Sequence, residues 1–276
     1  MTDRSARERA AGRLGRASRR WLRVLEDPAR LATERTLGAL ERGTPFRPGT
    51  VVLEGRTFDY THPYSIAEQY RAIFDRRSYD FESTNPAPRI LDCGANVGLA
   101  SIFWKVAYPS ARITAFEPDP GIAGVLRGNL TRNRAGDADV VQAAVWREDG
   151  TTQFSQQGAG GGHLGDGDLT VRTVRLRDWL TEPIDLLKID IEGAEVEVLD
   201  DCAECLECVE RVFVEFHSFA REPQRFDHVI RVLAGAGFRI LVETEYCPQR
   251  PFVRPAARAG MDMQLNLYAF RSEDEA

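Results

Sequence analysis

Between residues 89 and 216 the chain alternates short apolar runs with stretches of helical period, and four of those runs finish in a carboxylate. Runs at 89–93, 112–117, 139–146, 184–191 and 209–216 have the length and composition of strands. Stretches at 97–108, 119–132, 194–201 and 223–236 have the spacing of helices. Two more strands are expected at 239–245 and 266–271, and 151–154 with 169–176 read as a paired excursion around a glycine-rich loop. This alternation specifies βα units and an α/β fold with a doubly wound, mostly parallel sheet. Ligands of such sheets bind outside the carboxyl ends of the strands. The terminal acids are Asp92, Glu117, Asp190 and Glu215. Inside an apolar sheet each would be costly, whereas at a shared edge they form a polar rim.

The first strand runs into Asp92-Cys93-Gly94-Ala95-Asn96-Val97-Gly98. Gly94 permits a tight turn, Asn96 tolerates left-handed backbone angles, and Gly98 lets the following helix pack closely. A ligand carrying a carboxylate and an amine fits beside this turn and Asp92, near free N–H groups of the helix start. Glu117 follows about 20 residues later, where a ribose-binding acid belongs in this architecture. Pro118 then leads into the next helix. Gln142, Ala143 and Ala144 finish the third strand, and their small side chains leave room for a flat ring.

Ahead of this unit the chain divides in two. Residues 1–42 read as a basic helical segment with Leu22, Leu25, Leu31, Leu37 and Leu40 at helical spacing; ten arginines stand against five acids in its first 35 residues. It reads as a solvated helix or a dimerisation segment in preference to a nucleic-acid or membrane arm. Residues 43–84 read as an accessory hairpin, turning at Glu54-Gly55, and a helix over 65–76. Residues 85–276 then form the main domain. The net charge of −6 argues against a nucleic-acid partner. No run of about 18 apolar residues exists to span a membrane. Five cysteines without a disulfide pattern favour a reducing, cytoplasmic setting. Cys202, Cys205 and Cys208 lack a fourth ligand nearby and read as small buried side chains.

ILDCGANVG (90–98), AFEPDP (115–120), the 129–133 segment, AAV (143–145), VFVEFH (212–217) and above all LKIDIEGAE (187–195) resemble the FkbM-type methyltransferases. The resemblance extends over about residues 50–271. It implies a class I, Rossmann-like methyltransferase fold of seven strands with an antiparallel last strand, S-adenosylmethionine as cofactor, and usually O-methylation of a small molecule such as a sugar or polyketide-type product. On that resemblance Gly94, Ala95, Asn96 and Gly98 line the methionine part, Glu117 holds the ribose hydroxyls, and residues 142–145 flank the adenine.

A hydroxyl acceptor benefits from a general base. His217 is the first candidate, since an imidazole titrates near neutral pH. Asp190 can contact the cofactor amine, orient the acceptor or bind a metal; Glu192 and Glu215 can orient the acceptor or His217. Asp190, Glu215 and His217 also form a donor set that suits magnesium, although no metal ligand is assigned. The N-terminal helices and the 244–263 segment are expected to shape the acceptor pocket. Two other readings remain open on the residues alone: an NAD-dependent oxidoreductase, which would use the same turn and Glu117, and a non-catalytic cofactor-binding scaffold.

Overall fold

The computed structural model describes residues 28–155, 163–164, 167–253, 257 and 260–271. The arginine-rich residues 1–27 and most of the glycine-rich loop lie outside that set.

After helix α1 (Pro28–Glu41), strands β1 (Gly49–Leu53) and β2 (Arg56–Tyr60) form the expected hairpin. Glu54 and Gly55 at its turn both have positive φ, 46° and 77°, as a two-residue hairpin turn requires. Helix α2 (Pro63–Tyr70) continues as a π-helical turn to Asp75.

The main sheet begins with β3 (Arg89–Cys93), α3 (Leu99–Ala107), β4 (Arg112–Phe116), α4 (Pro120–Arg132) and β5 (Asp139–Val141). An excursion follows through β6 (Ala144–Trp146), β7 (Gly150–Ser155), β8 (His163–Leu164) and β9 (Leu169–Arg175). The chain returns as β10 (Leu186–Ile189), α5 (Glu195–Cys202), β11 (Arg211–Phe219), α6 (Phe226–Gly235), β12 (Arg239–Tyr246) and β13 (Met261–Phe270). The seven-stranded order is β12-β13-β11-β10-β3-β4-β5. β11, β10, β3, β4 and β5 are parallel, while β13 is antiparallel to both its neighbours. This is the class I methyltransferase sheet, with its two halves meeting between β3 and β10.

Successive strand residues feed opposite layers. Leu91, Leu187, Val212 and Val214 pack with α5 and α6, whereas Ile90, Ile113 and Leu186 pack with α3 and α4. The second layer also takes Leu37, Phe58, Ile66 and Tyr70 from the accessory segment. Residues 28–84 thus share a core with the main sheet. No helix among the described residues is long and apolar enough to cross a membrane. Among the described residues the five cysteines are unpaired; Cys202 is fully buried at the end of α5, whereas Cys205 and Cys208, expected to be buried, are half-buried in the 3-10 turn that follows.

Three details differ from the sequence reading. The run at 139–146 is two strands: Ala143 N–H donates to the Val141 carbonyl (3.0 Å), a one-residue turn that sends β6 away to pair with β9. β11 extends to Phe219, because β13 pairs with it along its whole length. Asp92 and Glu215 therefore lie within strands, and only Glu117 and Asp190 immediately follow strand ends.

Asn129 on α4 ties the accessory hairpin to the main domain. Its side chain accepts from Asp59 N–H (2.7 Å) and donates to the carbonyls of Asp59 (2.9 Å) and Val97 (2.8 Å). Replacing it leaves buried backbone groups without partners. Asn129→Ala is expected to destabilise the chain by about 2–4 kcal/mol and lower the thermal midpoint by roughly 5–10 °C. A midpoint within about 1 °C of wild type would show that the hairpin is not held this way.

Candidate active site

A cavity of about 410 Å³ lies at the carboxyl edge of the main sheet, between the β3–α3 turn and the accessory segment. That volume suits a ligand of nucleoside size or larger. One end is built from the glycine turn. Gly94 has φ 82°, and a Cβ there would stand 1.8 Å from the Asp190 carbonyl oxygen, so only glycine lets the two strand ends approach. Asn96 is left-handed at φ 50°. Its side chain accepts from Val97 N–H (2.7 Å) and its own N–H donates to Glu117 Oε2 (3.0 Å).

Glu117 is buried, with Oε1 accepting from Asp119 N–H (3.0 Å). Burial pushes its carboxyl up to about 7 even though the two N–H donors pull the other way. Beyond it Phe116, Ile122, Ala143, Ala144, Val145 and Phe154 make an apolar slot. Pro118 lines the same region.

Lys188 is at the centre of the site, 3% exposed, on the inner strand β10. Its Nζ lies 3.3 Å from Asp92 Oδ1 and 3.3 Å from Asp190 Oδ2, and donates to the Gly94 carbonyl (2.9 Å). Burial alone would lower its proton affinity. The carboxylates of Asp190, Asp92 and Glu215 outweigh that and hold it above its ordinary value. The Tyr79 ring lies over it, 5.7 Å from Nζ to the centroid, and meets Phe213 edge-on.

The other end is acidic. Asp190, Glu192 and Glu215 line the cavity. Glu192 sits at φ 56°, an uncommon conformation for a residue with a side chain and one that recurs at functional sites. Glu195, at the first position of α5, turns back to accept from Gly193 N–H (3.0 Å) and meets His217 Nδ1 at 2.9 Å. His217 Nε2 lies 3.4 Å from Glu192 Oε2 and 3.7 Å from Glu215 Oε1. Burial opposes charge on this imidazole, but Glu192, Glu195 and Glu215 outweigh it, so its proton affinity is raised. Burial raises the carboxyls of Glu192 and Glu215. Gln264 donates to Glu215, and Ser65, Glu68, Gln69 and Glu245 face the acidic end's surroundings from α2 and β12.

Gly94, Ala95, Asn96, Glu117, Pro118, Ala143, Ala144, Asp190, Glu192 and Glu215 thus meet at one cavity, joined as expected by residues of the accessory helix and the 244–263 segment. Four expected site residues do not line it. Asp92 is fully buried and holds Ser101 Oγ (2.7 Å) and Lys188. Gly98 packs against Leu126 of α4, and Gln142 is exposed at the bend after β5. His217 is the main correction: its side chain is 1% exposed, Nδ1 meets Glu195 and Nε2 turns towards Glu192 and Glu215, so it lies behind the acids and not in the cavity wall. Lys188, Glu195 and Tyr79 were missed. One signal was legible: Lys188 is one of only two lysines beside 34 arginines, in an otherwise apolar strand.

A domain-wide family model, the methyltransferase FkbM domain, matches residues 92–240, just over half of the chain. The chain belongs to the FkbM methyltransferase family. Among its relatives, methyltransferase sdnD of Sordaria araneosa is 32% identical over 188 residues, covering 53% of this chain and 73% of that protein. The 31-O-demethyl-FK506 methyltransferase FkbM of Streptomyces tacrolimicus is 27% identical over 220 residues, 64% of this chain and 83% of its own. The 2-O-methyltransferase NoeI of Sinorhizobium fredii is 29% identical over 160 residues, 48% and 64% respectively. Among solved structures, the methyltransferase FkbM from Methylobacillus flagellatus superposes with a TM-score of 0.48 at 14% identity, over 86% of this chain and 59% of that one. Family membership sets aside the oxidoreductase reading.

Lys188 is the counter-ion for two acids and the donor to the glycine turn. Removing one partner of a buried ion pair leaves an uncompensated charge, at a cost of about 3–5 kcal/mol. Lys188→Met is expected to lower the thermal midpoint by roughly 10 °C, and Lys188→Arg should not restore it, since a planar fork does not fit a point-charge position. Full restoration by arginine would refute that account of the site.

Proposed function

We propose that the chain transfers a methyl group from S-adenosylmethionine to a hydroxyl of a small-molecule acceptor, of the sugar or polyketide type. The observation that carries this reading is the two-ended cavity: an apolar slot with a buried carboxylate on one side of Lys188, and a polar acidic chamber on the other. The names of two relatives, a 31-O-demethyl-FK506 methyltransferase and a 2-O-methyltransferase, support a hydroxyl acceptor.

The residues fit the cofactor's chemistry. Glu117 keeps a lone pair on each oxygen for ribose hydroxyls, Ala143 and Ala144 leave width for adenine, and Asp190 beside the Gly94–Asn96 turn suits an amine. S-adenosylmethionine, when bound, supplies a methyl already activated on a sulfonium. The protein's share is then alignment and charge. Asp190, Glu192 and Glu215 surround the acceptor end with negative potential, which favours a sulfonium nearby. These cavity-facing carboxylates, rather than His217, are placed to accept the hydroxyl proton. The wall from α2 excludes water and selects the acceptor.

Glu117 gives the test. Its carboxyl rises from an ordinary 4.5 to about 7, so the folded chain binds the extra proton between those values. The group therefore costs stability as pH rises through that window. The ionised form is the better acceptor for ribose hydroxyls, so affinity for S-adenosylmethionine should fall as pH drops below about 7. Glu117→Gln is expected to weaken binding roughly 10- to 100-fold at pH 8. Calorimetry at about pH 6 and pH 8, with the variant as control for the ligand's own titration, reads both effects. Equal affinity in wild type and variant sinks the ribose assignment.

A further inference from the structure

We propose that the acidic end of the cavity holds one divalent cation, ligated by Asp190, Glu192 and Nε2 of His217. One ligand atom from each of the three lies within 4.8 Å of the others. Asp190 gives Oδ2 to Lys188 and carries a second oxygen.

The imidazole is set up as a ligand. Its Nδ1 meets the fully buried Glu195, whose carboxylate is fixed by Gly193 N–H. A metal-binding histidine almost always gives its other ring N–H to such a carboxylate, which orients the free nitrogen. That nitrogen lies 3.4 Å from Oε2 of Glu192, its fellow ligand, and 3.7 Å from Oε1 of Glu215, which stands outside the set. A proton between them would draw one oxygen in to about 2.7–2.9 Å. Ligands that share an ion at bond lengths of about 2.1–2.2 Å stand roughly 3.0–3.6 Å apart, which is the spacing approached here.

An independent group points to the same place. Asn266 on β13 is the register partner of Glu215, is 5% exposed and lines the same cavity. Its Nδ2 donates to Glu245 Oε2 (3.4 Å), while its carboxamide oxygen is buried without a hydrogen-bond partner. A neutral oxygen left unpaired beside the acids is a donor for a cation or for a water bound to one. Charge agrees as well. Half-buried Asp190, Glu192 and Glu215 face the cavity in front of buried Asp92 and Glu195, with the Lys188 ammonium and the His217 imidazole as the basic groups among them, an excess of acids that a dication offsets. Two carboxylates with one imidazole suit Mn²⁺, which accepts oxygen and nitrogen donors, better than zinc, which favours thiolate and imidazole. Binding displaces any proton on Nε2.

The ion's use, polarising the acceptor hydroxyl, rests on the methyl-transfer reading; its binding does not. The experiment strips the full chain with a chelator and titrates it with Mn²⁺, reading free ion by electron paramagnetic resonance. One Mn²⁺ per chain is expected. Glu192→Gln and Asp190→Asn should each weaken it at least about 10-fold, with melting curves reporting that the variants fold. No binding by the wild-type chain up to about 1 mM Mn²⁺ overturns the site. So does binding that both variants keep within about twofold. Calorimetry with S-adenosylmethionine on the Mn²⁺-loaded chain separates the two readings: ion binding without cofactor binding keeps the site and removes methyl transfer.

Discussion

A single buried ammonium organises the catalytic edge. Lys188 stands on the inner strand β10, between β3 and β11, all four of whose residues are buried. Its ion pairs join Asp92 inside β3 to Asp190 just past β10, and its hydrogen bond fixes the Gly94 carbonyl. Those three points are where the two halves of the sheet part, which is where open α/β folds bind ligands. An unpaired lysine at this depth would lose its proton; two acids make the charge favourable and are themselves made tolerable by it. The geometry of the turn, and hence of any ligand beside it, follows from this mutual dependence.

The accessory segment is part of that arrangement and not an appendage. Tyr79 lies over Lys188 and its carbonyl accepts from Trp104 Nε1 (2.9 Å) on α3. Asn129 and Asn133 hold the hairpin backbone at Asp59 and Thr57. The accessory wall of the cavity is therefore anchored to α3, which follows the glycine turn, and to α4, which packs against that turn at Gly98.

Much of this was legible in the residues. Period and composition marked the βα units, and the glycine turn with Glu117 marked the ligand end, because both depend on local rules. Strand lengths were less legible. β11 runs past Glu215 and His217 since β13 pairs with it, and pairing between distant segments leaves no local trace. His217 looked like a base on residue type alone. Its role depends on Glu192, Glu195 and Glu215 meeting around it, which only the packing of α5 on β11 decides. Asn129 looked like a family signature without a cause, and the cause is a contact 70 residues away.

Six carboxylates that look equivalent along the chain end with three different fates, sorted by what donates to each. Asp92 faces a lysine and a serine and has become part of the scaffold. Glu117 and Glu195 are each gripped by backbone N–H groups, so their direction is fixed while a lone pair stays free, for a ligand in one case and for an imidazole in the other. Asp190, Glu192 and Glu215 face the cavity, and burial pushes up the carboxyls of the latter two. A fold in which every acid were satisfied internally would be more stable and would hold nothing. These three acids lie at the end of the cavity away from the apolar slot, so their negative charge and the available space coincide.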